Sequence, residues 1–318
     1  MKQFAVVFLL AVTGYAAEFE FSYEDQTQWP GVCQTGLKQS PINIMTRSAL
    51  LDTDGTHIRG PLVFRGYDSV NASAENDGHT LKWTIVEDIP MPVVSGGPLR
   101  GNYSFMQFHV HWLSEHAIDG MKYPMEIHMV HIKTGLTTEE AVKRPDGIAV
   151  IGILCQIFSG EESEHALEEL SPVIPQLIDR GTGFADASVI DISRLFSPEP
   201  QSYFTYHGSL TTPLCQEVVT WIVMDKPLVI SDDQYNLFRT ADVGDVDNYR
   251  SLQRNDRVVY RSMASSSSTA LPGSLGFLAT LFSIKSLLTA TLGKGICVLV
   301  NIKRKYLGNK LKECTVPE

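Results

Sequence analysis

The sequence predicts a mostly β protein, an α+β chain with one large domain, on three observations. Short period-two segments recur through the body of the chain, at 62–64, 80–86, 104–112, 125–131, 148–158, 203–206, 218–224 and 258–261. Helical signals are few, and between residues 18 and 262 there is no repeat, low-complexity linker or heptad run. With 318 residues, 43% hydrophobic and 19% charged, the chain is long and apolar enough to bury a full core.

In chain order, residues 1–17 come first. Lys2, an apolar run over 4–12 and the small residues Gly14, Ala16 and Ala17 read as a secretory signal, because the run is too short to span a bilayer. Export permits disulfides, and there are five cysteines, at 33, 155, 215, 297 and 314. Sequence alone leaves their pairing open. Cys155 lies in the apolar run 148–158 and reads as a buried free thiol. Cys33 and Cys215, each in a turn-rich segment near a proline, are the favoured bridge. The sequons at Asn71 and Asn102 agree with export as glycosylation acceptors.

The run 104–112 places Phe105, Gln107, His109 and His111 on one face, with Met106, Phe108, Val110 and Trp112 on the other. Asp119-Gly120 and Tyr123-Pro124 mark turns. The run 125–131 then sets Glu126 and His128 on one face and Ile127 and Met129 on the other. If these strands pair, three imidazoles converge. His-x-His with a third histidine on a neighbouring strand is the ligand set of a catalytic zinc site, since three neutral imidazoles leave one tetrahedral position open. Gln107 and Glu126 share faces with His109 and His128, so each can accept a second ring N–H and fix the tautomer. His131 breaks the parity and His116 follows a turn signal, so both read as structural.

Two segments carry helical signals. The first, 163–177, opens on Ser163 with Glu164, Glu168 and Glu169 near its start, but Pro172 and Pro175 interrupt it. The second, 231–238, has Ser231 as its cap and Asp232 and Asp233 in its first turn.

Composition changes from residue 263 onward. A Ser-rich stretch at 263–270 leads into apolar runs at 271–284 and 287–300, broken by Lys285 and Lys294, and then Lys303-Arg304-Lys305. The order resembles a glycolipid-anchor signal, although such signals end in their apolar tail. A single span with a basic cytoplasmic tail is the other reading, but a lysine in mid-span costs roughly 2.5–3.5 kcal/mol. Membrane attachment of one kind or the other is expected of 263–318. Formal net charge is −10, and the basic tail leaves the body still more acidic, which excludes nucleic acid as its partner.

The motifs extend beyond the histidines. Gln107-Phe108-His109-Val110-His111-Trp112, Ser114-Glu115-His116 and Glu126-Ile127-His128-Met129-Val130-His131 together resemble the core signature of the α-class carbonic anhydrases. Gln39-Ser40-Pro41-Ile42-Asn43-Ile44, Gly96-Gly97-Pro98-Leu99, Gly208-Ser209-Leu210-Thr211-Thr212-Pro213, Val219-Thr220-Trp221-Ile222-Val223 and Asn248-Tyr249-Arg250 are similar to further motifs of that family, in its order. The resemblance runs from about residue 23 to 261.

That resemblance implies a large, twisted, mainly antiparallel central sheet with short peripheral helices, in which residues 18–262 form the catalytic domain. It also implies that His109, His111 and His128 bind zinc (Zn2+), with Gln107, Glu126 and Asn248 supporting them from behind. The implied reaction is reversible hydration of CO2 to bicarbonate and a proton, in which zinc-bound hydroxide attacks CO2. By family position, Thr211 accepts a hydrogen bond from the hydroxide and donates to Glu115. Val130, Val150, Leu210, Val219 and Trp221 would line an apolar CO2 pocket, with Thr212 at its mouth. His79 matches the residue that shuttles the proton to solvent, with Tyr23 beside the water path. Cys33 and Cys215 match the bridge of extracellular members, which would pin the Thr211 loop to the N-terminal region; with the signal and the C-terminal attachment segment, the expected location is the secretory pathway and the outer face of the cell membrane.

Departures from the family pattern are also visible. Asp77 and Lys82 stand where neutral amides face the water path, and Asp77 is expected to raise the His79 pKa. Leu214 replaces a second proline, and the segment before Cys33 lacks part of an aromatic cluster. The rival reading is a carbonic anhydrase-like adhesion or binding domain of weak or no activity. Such domains usually lack one of the zinc histidines, and all three are here.

Overall fold

A computed structural model describes residues 21–86, 90–158, 167–182, 187–196 and 200–262. The expected signal (1–17), the tail (263–318) and the opening of the 163–177 segment lie outside the described residues. No helix among the described residues is long and apolar enough to cross a membrane.

Among the described residues sixteen strands make up most of the regular structure: β1 Asn43–Ile44, β2 Leu50–Leu51, β3 Leu62–Arg65, β4 Val70–Asn76, β5 Leu81–Ile85, β6 Val93–Gly96, β7 Tyr103–His111 and β8 Ala117–Ile118 in the first half. The second half holds β9 Met121–Lys122, β10 Met125–Lys133, β11 Ile148–Ile157, β12 Ser188–Ile190, β13 Tyr203–Gly208, β14 Val219–Met224, β15 Leu228–Ile230 and β16 Tyr260–Arg261. Thirteen of them form one sheet with the backbone order β12-β4-β5-β7-β10-β11-β14-β13-β16-β2, to which β3, β6 and β15 attach. Its pairings are antiparallel except β11 with β14, β11 with β15, and β16 with β2. The mostly β, mainly antiparallel expectation therefore holds. The eight alternating segments all became strands, because each offers one apolar face to a core.

The sheet separates two apolar clusters. On one side Phe105, Phe108, Val110, Trp112, Ile127 and Met129 pack with Trp83 and Phe238, and the Trp83 and Phe108 rings stack at 4.9 Å. On the other, Val130, Val150, Val219 and Trp221 pack with Ile42, Phe204 and Tyr206. Each fully buried side chain of this size contributes roughly 1.5–3 kcal/mol.

One register shift corrects the alternation read from the sequence. Val130 pairs Gln107 but His131 pairs Phe105, so Met106 is an unpaired extra residue. Such a bulge resets the parity of the strand. Phe105 therefore leaves the face of Gln107, His109 and His111 and meets His131 across the sheet's other side, with ring centroids 5.5 Å apart.

Helices are short, as expected. The α1 helix (Thr138–Ala141) starts on a capping box between Thr137 and Glu140, a signature present in the sequence but not read there. The α2 helix (Asp232–Phe238) is capped by Ser231, as its sequence predicts, and Gln234 completes the box. The 163–177 segment differs from expectation: its described part holds a 3-10 turn at Ser171–Gln176. Pro172 and Pro175 bring no amide N–H, so an α-helical ladder cannot run through them.

Candidate metal centre

His109 and His111 come from β7 and His128 from β10, with His109 and His128 directly paired across the ladder. The three ring centroids stand 4.5 to 5.3 Å apart. One nitrogen of each ring lies within 4.8 Å of the other two. The remaining nitrogens are all engaged. His109 Nδ1–H donates to Gln107 Oε1 (2.9 Å), His111 Nδ1–H to the Asn248 carbonyl (2.5 Å) and His128 Nε2–H to Glu126 Oε1 (2.8 Å). These bonds fix each tautomer and turn the other nitrogen toward the common centre.

The electrostatics suit metal ligands, which must be neutral imidazoles. Burial, helped by the neighbouring His111, His128 and Lys82, holds the His109 pKa well below its ordinary value. Burial also lowers that of His111, against the pull of Glu115. The donor set passes a second test. His111 Nε2 and Glu115 Oε2 are buried without a hydrogen-bond partner, and Glu115 Oε2 lies 3.8 Å from both His111 Nε2 and His128 Nδ1. An unpaired buried polar atom costs about 1–3 kcal/mol, so the orphaned His111 Nε2, one of the three nitrogens grouped within 4.8 Å, fits a bound cation.

His116, Glu126 and His128 form a second group within ligand distance. Its atoms are spent on one another: Glu126 Oε1 accepts from His116 Nδ1 and His128 Nε2, and Oε2 accepts the His116 backbone N–H. Burial opposes ionisation of Glu126, but the two histidines and these hydrogen bonds keep its pKa well below the usual carboxylate range. His116 Nε2 meets the Tyr206 hydroxyl at 2.6 Å, and His131 Nε2 the Tyr67 hydroxyl at 2.6 Å. Both histidines take structural partners.

The pocket residues read from the sequence come together beside His128. Val130 pairs Val150 and Val150 pairs Trp221 across β10, β11 and β14, while Val219 pairs Ile148 at the neighbouring rung. The Trp221 ring lies 4.9 Å from that of His128. Leu210 packs against the same cluster, and Thr212 is half-buried. Thr211 is buried in the loop after β13, but the expected hydrogen bond to Glu115 is not made: Oε1 takes the Arg250 backbone N–H (2.7 Å) and Oε2 has no donor.

That loop is stapled to the N-terminal segment. Cys33 and Cys215 form a disulfide, and Cys155 is a buried free thiol, both as expected. Ser40 and Ser209 exchange two hydrogen bonds, and Arg250 donates to Gln39, Ser40 and Cys33. Arg250 is a guanidinium whose pKa burial pushes down to about 10.

His79 lies outside the histidine cluster, in the turn between β4 and β5. Its ring stacks on Phe21 at 4.0 Å, and its carbonyl accepts from Asn248 Nδ2. Phe21, Tyr23 and Trp29 of the N-terminal segment pack on one another at 5.4 to 5.6 Å. The premise for a raised His79 pKa also changes. Asp77 Oδ2 binds Lys82 Nζ (2.9 Å) and Oδ1 accepts the amides of His79 and Thr80, so its charge is already paired. Lys82 is buried, and its ammonium pairs with both Asp77 and Glu75. Burial would lower its pKa, but the two carboxylates win and raise it. Tyr206, Phe21 and Glu75 were not singled out from sequence; the parity of Tyr206 within 203–206 was the one available sign. Asn102 is exposed and Asn71 half-buried.

Fold and site together define a β-sheet protein with a three-imidazole centre of the kind that holds a divalent ion beside an apolar wall. The profile of the eukaryotic-type carbonic anhydrases matches residues 24–263, and the chain belongs to that family. It is 34% identical to putative carbonic anhydrase 5 of Caenorhabditis elegans over 281 residues, 80% of this chain and 86% of that protein. It is 35% identical to carbonic anhydrase 4 of Oryctolagus cuniculus, over 77% of this chain and 82% of the other. Carbonic anhydrase 7 of Homo sapiens is 36% identical over 64% of this chain and 77% of its own length.

Proposed function

We propose that the chain is a zinc-dependent enzyme that interconverts CO2 and bicarbonate. The observation that carries this reading is the trio His109, His111 and His128, each with its second nitrogen fixed by an acceptor and its first turned to one point. These three residues would hold the ion. The chemistry it supplies when bound is Lewis acidity, which makes water nucleophilic near neutral pH.

The chain's own residues do the rest. Gln107, Glu126 and the Asn248 carbonyl keep the imidazoles oriented. Thr211 orients the attacking oxygen, with Glu115 as the acceptor for its hydroxyl; the unpartnered Glu115 Oε2 supports this assignment. Val130, Val150, Leu210, Val219 and Trp221 offer CO2 a hydrocarbon wall beside His128, and Thr212 faces departing bicarbonate. His79 passes the proton to solvent, since imidazole titrates in the useful range.

Metal analysis and stopped-flow CO2 hydration of the purified protein test this. One zinc per chain and hydration activity are expected, and His109→Ala, His111→Ala or His128→Ala should each remove both. Full activity in any of the three variants refutes the mechanism. A zinc-loaded wild-type protein without hydration activity would favour the binding-domain reading instead.

We also propose that residues 1–17 direct secretion, 18–262 form the catalytic domain and 263–318 attach it to the outer face of the membrane. The Cys33–Cys215 disulfide supports an oxidising compartment. Release from cells by phosphatidylinositol-specific phospholipase indicates a glycolipid anchor; retention on washed membranes indicates a span.

A further inference from the structure

A buried ion cluster links the strand paired with His109 to the turn that carries His79. Lys82 is only 7% exposed in its side chain, and its ammonium lies 2.6 Å from Glu75 Oε1 and 2.9 Å from Asp77 Oδ2. Its strand ties the two regions together: Lys82 pairs Glu75 on β4 and His109 on β7. Asp77 works with both oxygens. One takes Lys82, and the other accepts the backbone N–H of His79 and of Thr80, each at 3.0 Å.

The turn itself has little room to adjust. Asn76 Nδ2 donates to the carbonyls of Leu177 and Asp242, and its Oδ1 accepts the Gly78 N–H. Gly78 has φ +87°, and a Cβ there would meet Arg180 Nε at 3.2 Å. Residue 76 is therefore anchored on its own, and the carbonyl of His79 is held by Asn248 Nδ2. The amide of His79 is held through Asp77, and Asp77 is held by Lys82.

We propose that Lys82 is a positioning residue for proton exit: it fixes Asp77, and Asp77 fixes the His79 backbone so that the imidazole stays within proton-transfer reach. This rests on the assignment of His79 above. A buried ion cluster adds little net stability over an apolar replacement, but removing one partner leaves the other charges buried and uncompensated, so Asp77 must shift toward water or take up a proton. Proton transfer is sensitive to such movement, because it requires hydrogen-bond reach directly or through water.

The test uses the zinc-loaded full chain and the variants Lys82→Leu, Lys82→Arg, Asp77→Asn and His79→Ala. CO2 hydration is measured in weak buffer and again with added imidazole. Lys82→Leu should lower kcat about 10–100-fold, the upper figure being the cost of a full ångström of misplacement, and leave kcat/KM within about twofold. Imidazole should restore kcat, and Lys82→Arg should retain most of it. Asp77→Asn, which keeps an acceptor but loses the charge, should move kcat in the same direction by less, and serves if Lys82→Leu does not fold. Unchanged kcat in Lys82→Leu, or a parallel fall in kcat and kcat/KM, overturns the proposal. If His79→Ala also leaves kcat unchanged, the exit itself is misassigned. If His79→Ala lowers kcat and Lys82→Leu does not, only the positioning role fails.

Discussion

The Cys33–Cys215 bridge is the covalent tie between the N-terminal segment and the Thr211 loop, and its removal is quantitatively testable. It spans a sequence separation of 182 residues. For a loop of that length the chain-entropy relation gives about 5 kcal/mol of stabilisation at 25 °C, acting on the unfolded state. Residual structure in the denatured chain reduces this, so a loss of about 3–5 kcal/mol is expected for Cys33→Ala/Cys215→Ala. With a urea slope of about 3 kcal/mol/M, the unfolding midpoint should fall by about 1–1.7 M. Equilibrium unfolding followed by tryptophan fluorescence reads this directly. The local consequence is separate. Cys215 anchors a loop also held by Val32 N–H to the Leu214 carbonyl and by Gln39 Nε2 to the Cys215 carbonyl. His109, His111 and His128 lie on strands the bridge does not touch, so zinc content should persist while CO2 hydration falls. A midpoint shift below about 0.3 M, or loss of zinc from a folded variant, would refute this account of the bridge.

Buried contacts elsewhere carry two more predictions. Gly152 lies opposite His128 in the ladder, and a Cβ there would sit 2.8 Å from Glu126 Oε1. Gly152→Ala should destabilise by about 1–3 kcal/mol and weaken zinc binding about 10–100-fold, because it pushes on the carboxylate that orients His128; competition against a zinc chelator measures the second effect. His131, buried against Tyr67, has its pKa pushed down to about 4 by burial. The unfolded chain then binds the extra proton first as pH falls, so this contribution is complete above about pH 6.5 and is lost progressively down to about pH 4, by about 3 kcal/mol in all. Urea midpoints measured between pH 7 and pH 5 should fall in the wild type, and by less in His131→Phe.

The sequence was most legible where one periodic face meets one core. Strands β7, β10 and β11 were readable within two residues at each end, because their alternation is long and uninterrupted. His109, His111 and His128, with Gln107 and Glu126 behind them, were readable for the same reason. The bulge at Met106 was not, since an unpaired residue leaves no mark in an apolar strand. Strand β4 carries little strand signal in the sequence because Asn71, Ser73, Glu75 and Asn76 have the composition of a loop, although its alternate positions Val70, Ala72 and Ala74 are buried. Sequence order also could not say that Asp77 would face Lys82 in place of the imidazole of His79. Burial made that choice: an ammonium removed from water takes the nearest carboxylates, and Asp77 and Glu75 are both within reach.

His116 ties strand β10 to the Thr211 loop through a buried chain of hydrogen bonds. His128 donates to Glu126, Glu126 accepts from His116, and His116 meets the Tyr206 hydroxyl, which lies 3.0 Å from Ser40 Oγ. Ser40 then exchanges hydrogen bonds with Ser209, two residues before Thr211. Every link is buried, so a break leaves a polar group without a partner at about 1–3 kcal/mol, more for Glu126, which is charged. Such a chain resists sliding of the loop against the strands far better than apolar contact could, because apolar packing has no preferred direction and hydrogen bonds do. The same logic accounts for Arg250, whose guanidinium reaches Gln39, Ser40 and Cys33 while its backbone N–H holds Glu115. Glu115, whose Oε2 lies 3.8 Å from His111 Nε2 and His128 Nδ1, and the loop that carries Thr211 are thus both tied to the stretch 33–40 by buried polar contacts, the first through Arg250 and the second through Ser209.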